Sequence, residues 1–231
     1  MPQSPEPVFL ITGASSGIGA ATARRAAEDG YRLVLAARST DKLQALAAEL
    51  GGAERAIAVG CDVTDFAQQE AMVSAAIDAF GRIDVVFANA GFGAKRGFLQ
   101  ESPELWREMV LTNVLGCAYT IRATIPALKD SAGHLLLTSS VAGRRALSGS
   151  LYSATKHAVT AMAEAARQDL QDTGIRVTSI EPGMVDTPFF DNPVTDALQP
   201  DDIARAVLFA VAQPPHVNVN EILIRPVSQP T

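Results

Sequence analysis

The chain has 231 residues, of which 48% are apolar and 19% charged, and its formal net charge is −6. That length suits one substantial core, and an acidic chain with no basic stripe beyond Arg24–Arg25 and Arg144–Arg145 is a poor match for nucleic-acid phosphates. No run approaches the roughly 18 uncharged apolar residues of a membrane span, the polar opening lacks a secretory pattern, and Cys61 and Cys117 suit neither a disulfide framework nor a metal; a cytoplasmic protein with two buried thiols and no metal is expected.

In chain order, Val8–Thr12 is a short apolar run and reads as a buried strand. Ile18–Asp29 is Ala-rich and reads as a helix closed by Gly30. Tyr31–Ala36 is a strand, Asp41–Leu50 a helix stopped by Gly51-Gly52, and Ala56–Cys61 a third strand. A helix over Phe66–Phe80 ends at Gly81, and Asp84–Ala88 is a fourth strand. Pro103 opens a long helix running to Leu128, with Glu104 at its positive end. His134–Thr138 is a strand, Tyr152–Gln171 a helix ended near Gly174, and Ile175–Ile180 a sixth strand. Asp201–Ala212 is a helix and Glu221–Ile224 a last short strand. Such alternation implies one α/β domain over residues 1–231, a Rossmann-type doubly wound parallel sheet of about seven strands flanked by helices. Ligands of such sheets lie beyond the carboxyl ends of the strands.

The residues after the first strand are Thr12-Gly13-Ala14-Ser15-Ser16-Gly17-Ile18-Gly19. Gly13 permits a sharp turn, Gly17 a close backbone approach to a pyrophosphate, and Gly19 close contact of helix with sheet. The helix start adds free N–H groups and a positive dipole end. Further on, Tyr152-Ser153-Ala154-Thr155-Lys156 places a phenol and an ammonium four residues apart, on one helical face. A nearby ammonium is expected to lower the phenol from its usual value near ~10 toward a working acid–base catalyst.

These motifs, with Asn89-Ala90-Gly91, Asp62-Val63, Asn113-Val114-Leu115-Gly116 and Pro182-Gly183 in the same order, resemble the short-chain dehydrogenase/reductase family over nearly the whole chain. The resemblance implies a nicotinamide oxidoreductase acting on a carbonyl/alcohol pair. It implies that Gly13, Ser15, Ser16, Gly17, Ile18 and Gly19 hold the phosphates, and that Asp62 and Val63 lie at the adenine. Asn89, Ala90 and Gly91 would stabilise the sheet beside the cofactor. Pro182, Gly183, Val185 and Thr187 would lie along the nicotinamide. Tyr152 would be the acid–base catalyst, and Lys156 would tune it and bind the nicotinamide ribose. Asn113 would position a water in a proton relay. Aligned on Ser139-Ser140-Val141-Ala142-Gly143, the catalytic serine is Ser140; counting back from Tyr152 by the family's usual spacing selects Ser139 instead.

After the second strand stand Arg38 and Ser39, with no carboxylate to favour a free ribose hydroxyl. A guanidinium there suits a 2′-phosphate, so NADP(H) is expected over NAD(H), although Ser16 leaves the glycine turn without a basic residue.

The substrate loop, near 188–200, is short and proline-stiffened. Phe189 and Phe190 either line the pocket or pack on the core, and Phe92, Phe98, Ala142, Arg144 and Arg145 are further candidates. Arg144 or Arg145 either holds a substrate carboxylate or is a solvated pair. The tail, from Pro214 through His216, Glu221 and Pro226 to Gln229, is similar to a subgroup that includes NADP-dependent 3-hydroxy acid dehydrogenases and some aldehyde reductases. Relatives assemble through the two long helices, so a homodimer or homotetramer is expected, with a small carbonyl or alcohol as substrate. The competing readings are an NAD-linked alcohol dehydrogenase and a non-catalytic cofactor sensor.

Overall fold

The computed structural model describes residues 6–93, 95, 97–189 and 194–229. Its centre is one sheet of seven parallel strands in the order β3-β2-β1-β4-β5-β6-β7. The strands are β1 (Val8–Thr12), β2 (Arg32–Ala37), β3 (Ala56–Gly60), β4 (Val85–Ala88), β5 (His134–Thr138), β6 (Arg176–Pro182) and β7 (Glu221–Ile224). Helices α1 (Gly17–Glu28), α2 (Thr40–Glu49), α3 (Phe66–Phe80), α4 (Pro103–Val110), α5 (Cys117–Ser131), α6 (Leu151–Asp169) and α7 (Pro200–Val211) cover it.

The period-2 alternation of a strand sends successive side chains to opposite faces, and both faces here are dry. Phe9 and Ile11 of β1 pack with Leu33, Leu35 and Phe87 beneath α1, α2 and α7, where Ala23, Leu43, Ile203 and Val207 close the layer. Val8 and Leu10 point the other way, with Val34, Val86, Leu135 and Val177, onto Met72 of α3, Leu128 of α5 and Val159 and Ala163 of α6. Burial on both faces is why these strands are nearly continuous apolar runs. Both cysteines are free and buried.

The helix expected over Pro103–Leu128 is not uniform. Ser102 caps it, its Oγ accepting from Leu105 N at 3.2 Å. The chain then passes through a π-helical segment, Leu111–Gly116, before resuming as α5 and ending at the left-handed Ala132. An inserted π turn rotates the side chains relative to an unbroken helix, and it carries Asn113. The remaining boundaries differ from expectation by at most two residues, within the ordinary fraying of element ends.

Strand order reverses between β1 and β4, whose crossover helices leave on opposite faces. A crevice therefore opens at their carboxyl ends. Thr12 and Asn89 face each other there.

Candidate active site

The crevice continues into a cleft of about 430 Å³ along the strand ends. Every residue expected at the cofactor or the reacting group lines it, except Gly19 and Asn113, which lie behind the wall. At its near end the backbone makes the surface. Gly13 is left-handed, with φ of 68°, and a Cβ there would lie 2.9 Å from Ala90 Cα. A Cβ on Gly19 would collide with the Gly13 carbonyl oxygen. Ser16, the N-cap of α1, makes no side-chain cap hydrogen bond, so the first N–H groups of α1 face the cleft without a side-chain acceptor. That is a cradle a dinucleotide pyrophosphate fits.

One hydrogen-bond knot holds this turn to the neighbouring strands. Thr12 Oγ1 accepts from Asn89 N at 3.0 Å and from Ala90 N at 3.2 Å. Asn89 Nδ2 donates to Thr12 O at 3.1 Å, and Thr138 Oγ1 donates to Asn89 Oδ1 at 3.1 Å. The ends of β1, β4 and β5 are thereby fixed together. At the far end, Asp62 Oδ1 accepts from Thr64 N and Thr64 Oγ1 at 2.9 and 2.8 Å. The Thr64 amide holds this carboxyl below its usual range, with Arg38 adding attraction. Arg38 and Ser39 are exposed at the cleft edge.

The catalytic candidates converge from three elements. Tyr152 and Lys156 rise from α6, and Lys156 Nζ sits 5.7 Å from the Tyr152 ring centre. Lys156 is 4% exposed and Nζ donates to Thr138 O at 2.7 Å. Ser140 follows β5 and caps a short 3₁₀ turn, Val141–Gly143. Its hydroxyl accepts from Ala142 N, donates to Pro182 O at 3.2 Å and lies beside the Tyr152 phenol. Ser139 points elsewhere: its Oγ bonds Lys156 O at 3.0 Å and Thr160 Oγ1 at 2.7 Å inside the α6 contact. Of the two serines, only Ser140 acts on the phenol. Asn113 accepts from Phe92 N at 3.0 Å and donates to Phe92 O at 2.8 Å and Thr155 Oγ1 at 3.2 Å. It pins the loop after β4 to α6. A Cβ on Gly91 would lie 3.0 Å from Asn113 Oδ1 and 3.6 Å from Lys156 Nζ, so both side chains close on one point.

The electrostatics depart from expectation. Burial pushes the Tyr152 phenol up to about 12, against the downward pull of its Ser140 hydrogen bond. As a whole residue Tyr152 is half-buried, on the wall of the cleft. Burial also draws Lys156 down to about 8. The expected lowering of the phenol is not seen because Nζ is bound to a carbonyl and desolvation weighs most on both groups.

On the substrate side, Phe92, Pro188 and Phe189 line the cleft, with the Phe189 ring edge-on to Tyr152 at 5.6 Å. Phe190 and Pro193 lie outside the described residues. Phe98 is not at the cleft; it is 60% exposed and stacks edge-on with Trp106. Ala142 is buried beneath the wall. Arg144, though exposed, is not free for a substrate: it pairs with Glu181 and Glu221. Thr12, Thr138 and Thr155 are the residues that sequence reasoning missed. Each acts across long chain separations, so only the hydroxyls at strand and helix positions hinted at them. Among the described residues no cluster of His, Cys, Asp or Glu could hold a metal, and no helix is long and apolar enough to cross a membrane.

Comparison with known proteins places this geometry. The short chain dehydrogenase family model matches residues 7–197. The chain is 41% identical to an uncharacterized oxidoreductase of Staphylococcus haemolyticus over 225 residues, 95% of this chain and 97% of that one. Its structure is similar to an alcohol dehydrogenase from Thermococcus sibiricus complexed with 5-hydroxy-NADP, at 35% identity and a TM-score of 0.91, covering 98% of this chain and 99% of that one. It is likewise similar to serine dehydrogenase from Escherichia coli, at 32% identity and a TM-score of 0.88, covering 97% and 100%.

Proposed function

The chain belongs to the short-chain dehydrogenase family of oxidoreductases, and we propose that it moves hydride between NADP(H) and a small carbonyl/alcohol pair, with Ser140, Tyr152, Lys156 and Asn113 as its working side chains. The observation that carries this reading is the Ser140–Tyr152 pair at the cleft with Lys156 buried beside it.

The nicotinamide, when bound, supplies or accepts the hydride. Everything else falls to the chain. Ser140 and Tyr152 together offer two hydroxyls to one substrate oxygen, which fixes its position and stabilises charge developing on it. In reduction Tyr152 gives that oxygen a proton. A phenol held near 12 keeps its proton at neutral pH, so it is loaded as an acid. Lys156, near 8, is largely protonated there and stabilises the phenolate as it forms. Asn113 holds the Phe92 loop and Thr155 in register and lies beside Lys156, where it would order the route for proton replacement.

The glycine turn and the α1 terminus would hold the pyrophosphate, and Arg38 the 2′-phosphate. The alcohol dehydrogenase similar to this chain carries an NADP derivative, which supports the same choice. Because Arg144 is committed to carboxylates within the fold, and Phe92, Pro188 and Phe189 bound the substrate end, we favour a neutral aldehyde or ketone. A 3-hydroxy acid, as the likeness to serine dehydrogenase suggests, is the second reading. The outer faces of α5 and α6 form a groove with Phe66, Pro126 and Met162, which supports assembly into a homo-oligomer.

The test is nicotinamide absorbance over a panel of aldehydes, ketones and diketones with NADPH or NADH, and of 3-hydroxy acids with NADP or NAD. Turnover with NADPH and neutral carbonyls, lost in Tyr152→Phe, is the expected result. Preference for NADH would instead give the NAD-linked reading, and tight NADPH binding without turnover would give a sensor.

A further inference from the structure

Behind the proposed catalytic serine lies an ionic chain that the reaction itself does not use. Glu181 is on β6, one residue before Pro182, and is fully buried at 0% exposure. Ser179 Oγ donates to its Oε1 at 2.9 Å, and Arg144 Nε donates to its Oε2 at 2.6 Å. The other limb of the Arg144 guanidinium pairs with Glu221 on the edge strand β7. Glu221 also faces Arg167 of α6 at 3.7 Å, and Arg167 pairs with Glu164 at 2.6 Å. Arg144 therefore sits where the Ser140 turn, β6 and β7 meet, with α6 reached through Glu221.

A buried carboxylate is costly unless paired, and a planar guanidinium can serve two carboxylates where an ammonium serves one well. Arg144 follows directly on the turn Val141–Gly143, with Gly143 N bonded to Ser140 O at 2.8 Å and Arg144 N to Val141 O at 3.1 Å. The turn is short and tight, so a displacement of Arg144 is passed to Ser140. On the other side Glu181 abuts Pro182, whose carbonyl accepts the Ser140 hydroxyl.

We infer that Arg144 is a positioning residue, forking between Glu181 and Glu221 to hold the Ser140 hydroxyl at the angle that presents it with Tyr152 to the substrate oxygen. The inference rests on the reading of Ser140 and Tyr152 as the pair that binds that oxygen. It also ties the site to β7, the last strand of the sheet.

The experiment compares Arg144→Met, Glu221→Gln, the double variant Arg144→Met/Glu181→Gln, and Ser140→Ala in the full chain. The probes are NADPH with 2,3-butanedione or benzaldehyde, whichever the wild type turns over faster. Misplacing a reacting group by an ångström costs up to about 100-fold, so Arg144→Met should lower kcat by about 10- to 100-fold while NADPH Kd stays within about twofold. The double variant removes the unpaired buried charge and keeps an acceptor for Ser179, but it still lacks the guanidinium fork, so its kcat should stay within about threefold of Arg144→Met. Glu221→Gln, which leaves Glu181 paired, should lower kcat by about two- to fivefold and remains informative if Arg144→Met does not fold. Independently of turnover, amide exchange at residues 141–145 should quicken in Arg144→Met while β5 stays protected.

Full kcat in Arg144→Met, or in Glu221→Gln if the first variant does not fold, overturns the inference. So does a folded double variant as fast as the wild type, which would assign the loss in Arg144→Met to the unpaired Glu181 charge alone. If Ser140→Ala keeps wild-type activity, the reading of the serine fails and this inference falls with it. Loss in Ser140→Ala alone leaves the serine in place and removes only the role of Arg144.

Discussion

At the dinucleotide end of the cleft the surface is backbone and missing side chains, whereas at the catalytic end it is enclosed titratable groups. Gly13 and Gly19 matter for the atoms they lack, and Arg38, the cation there, is exposed. Lys156 is buried and Tyr152 half-buried, and both are shifted by desolvation. The two ends should thus fail in opposite ways. Adding atoms should damage the first through steric strain and lost binding. Removing one polar atom should damage the second through lost chemistry, with binding spared.

The largest expected effect is at the catalytic end. Tyr152→Phe removes one oxygen and should lower kcat by roughly 10²–10⁴-fold, in line with the loss of general acid catalysis. Fluorescence titration should find NADPH affinity within about twofold; a large loss of affinity would break the division between the ends. Gly13→Ala is the converse test. A left-handed backbone and a contact with Ala90 should together cost about 2–4 kcal/mol in urea unfolding, with weaker NADPH binding in whatever folds. An unchanged unfolding curve would mean that the turn yields easily. Arg38→Ala should lower the preference for NADPH over NADH about 10- to 100-fold, as loss of a charge-assisted hydrogen bond implies. An unchanged ratio would place 2′-phosphate recognition elsewhere.

The effect smallest at neutral pH, because it appears only in acid, separates stability from catalysis. His134, at the opposite end of β5 from Ser140, is 1% exposed. Thr178 Oγ1 gives its proton to Val219 O at 2.6 Å, so His134 Nε2 must donate to Thr178 at 2.7 Å. The imidazole Nδ1 is then a buried acceptor without a partner. Desolvation pulls this histidine from 6.5 to about 3. Its folded form binds fewer protons than the unfolded chain below pH 6.5, so this contribution to stability is whole above that pH. It is lost as pH falls toward 3, by up to about 1.4 kcal/mol per pH unit. The acid limb of unfolding should flatten in His134→Asn. The activity profile should instead carry a limb near pH 8 from Lys156. If stability and activity titrated together in acid, the separation would fail.

How far the sequence reached follows from how local each feature is. The glycine turn, the Tyr152–Lys156 spacing and the alternation of short apolar runs with helices are patterns of near neighbours, and they located the sheet, its helices and most of the cleft wall. The choice between Ser139 and Ser140 was open in the sequence because loop length and motif disagreed. In the structure the α6 contact captures one hydroxyl and leaves the other at the phenol.

Backbone propensity, hydrophobic period and turn chemistry act over a few residues, so the sequence by itself determined the elements, the parallel doubly wound class of the sheet and the type of chemistry to expect. Only the tertiary structure decided the π segment that carries Asn113, the Thr12–Asn89–Thr138 knot, the pairing of Arg144 with Glu181 and Glu221, and the upward shift of Tyr152. Each of these depends on which distant groups share a dry volume, and burial and long-range pairing exist only once the sheet has closed over both faces.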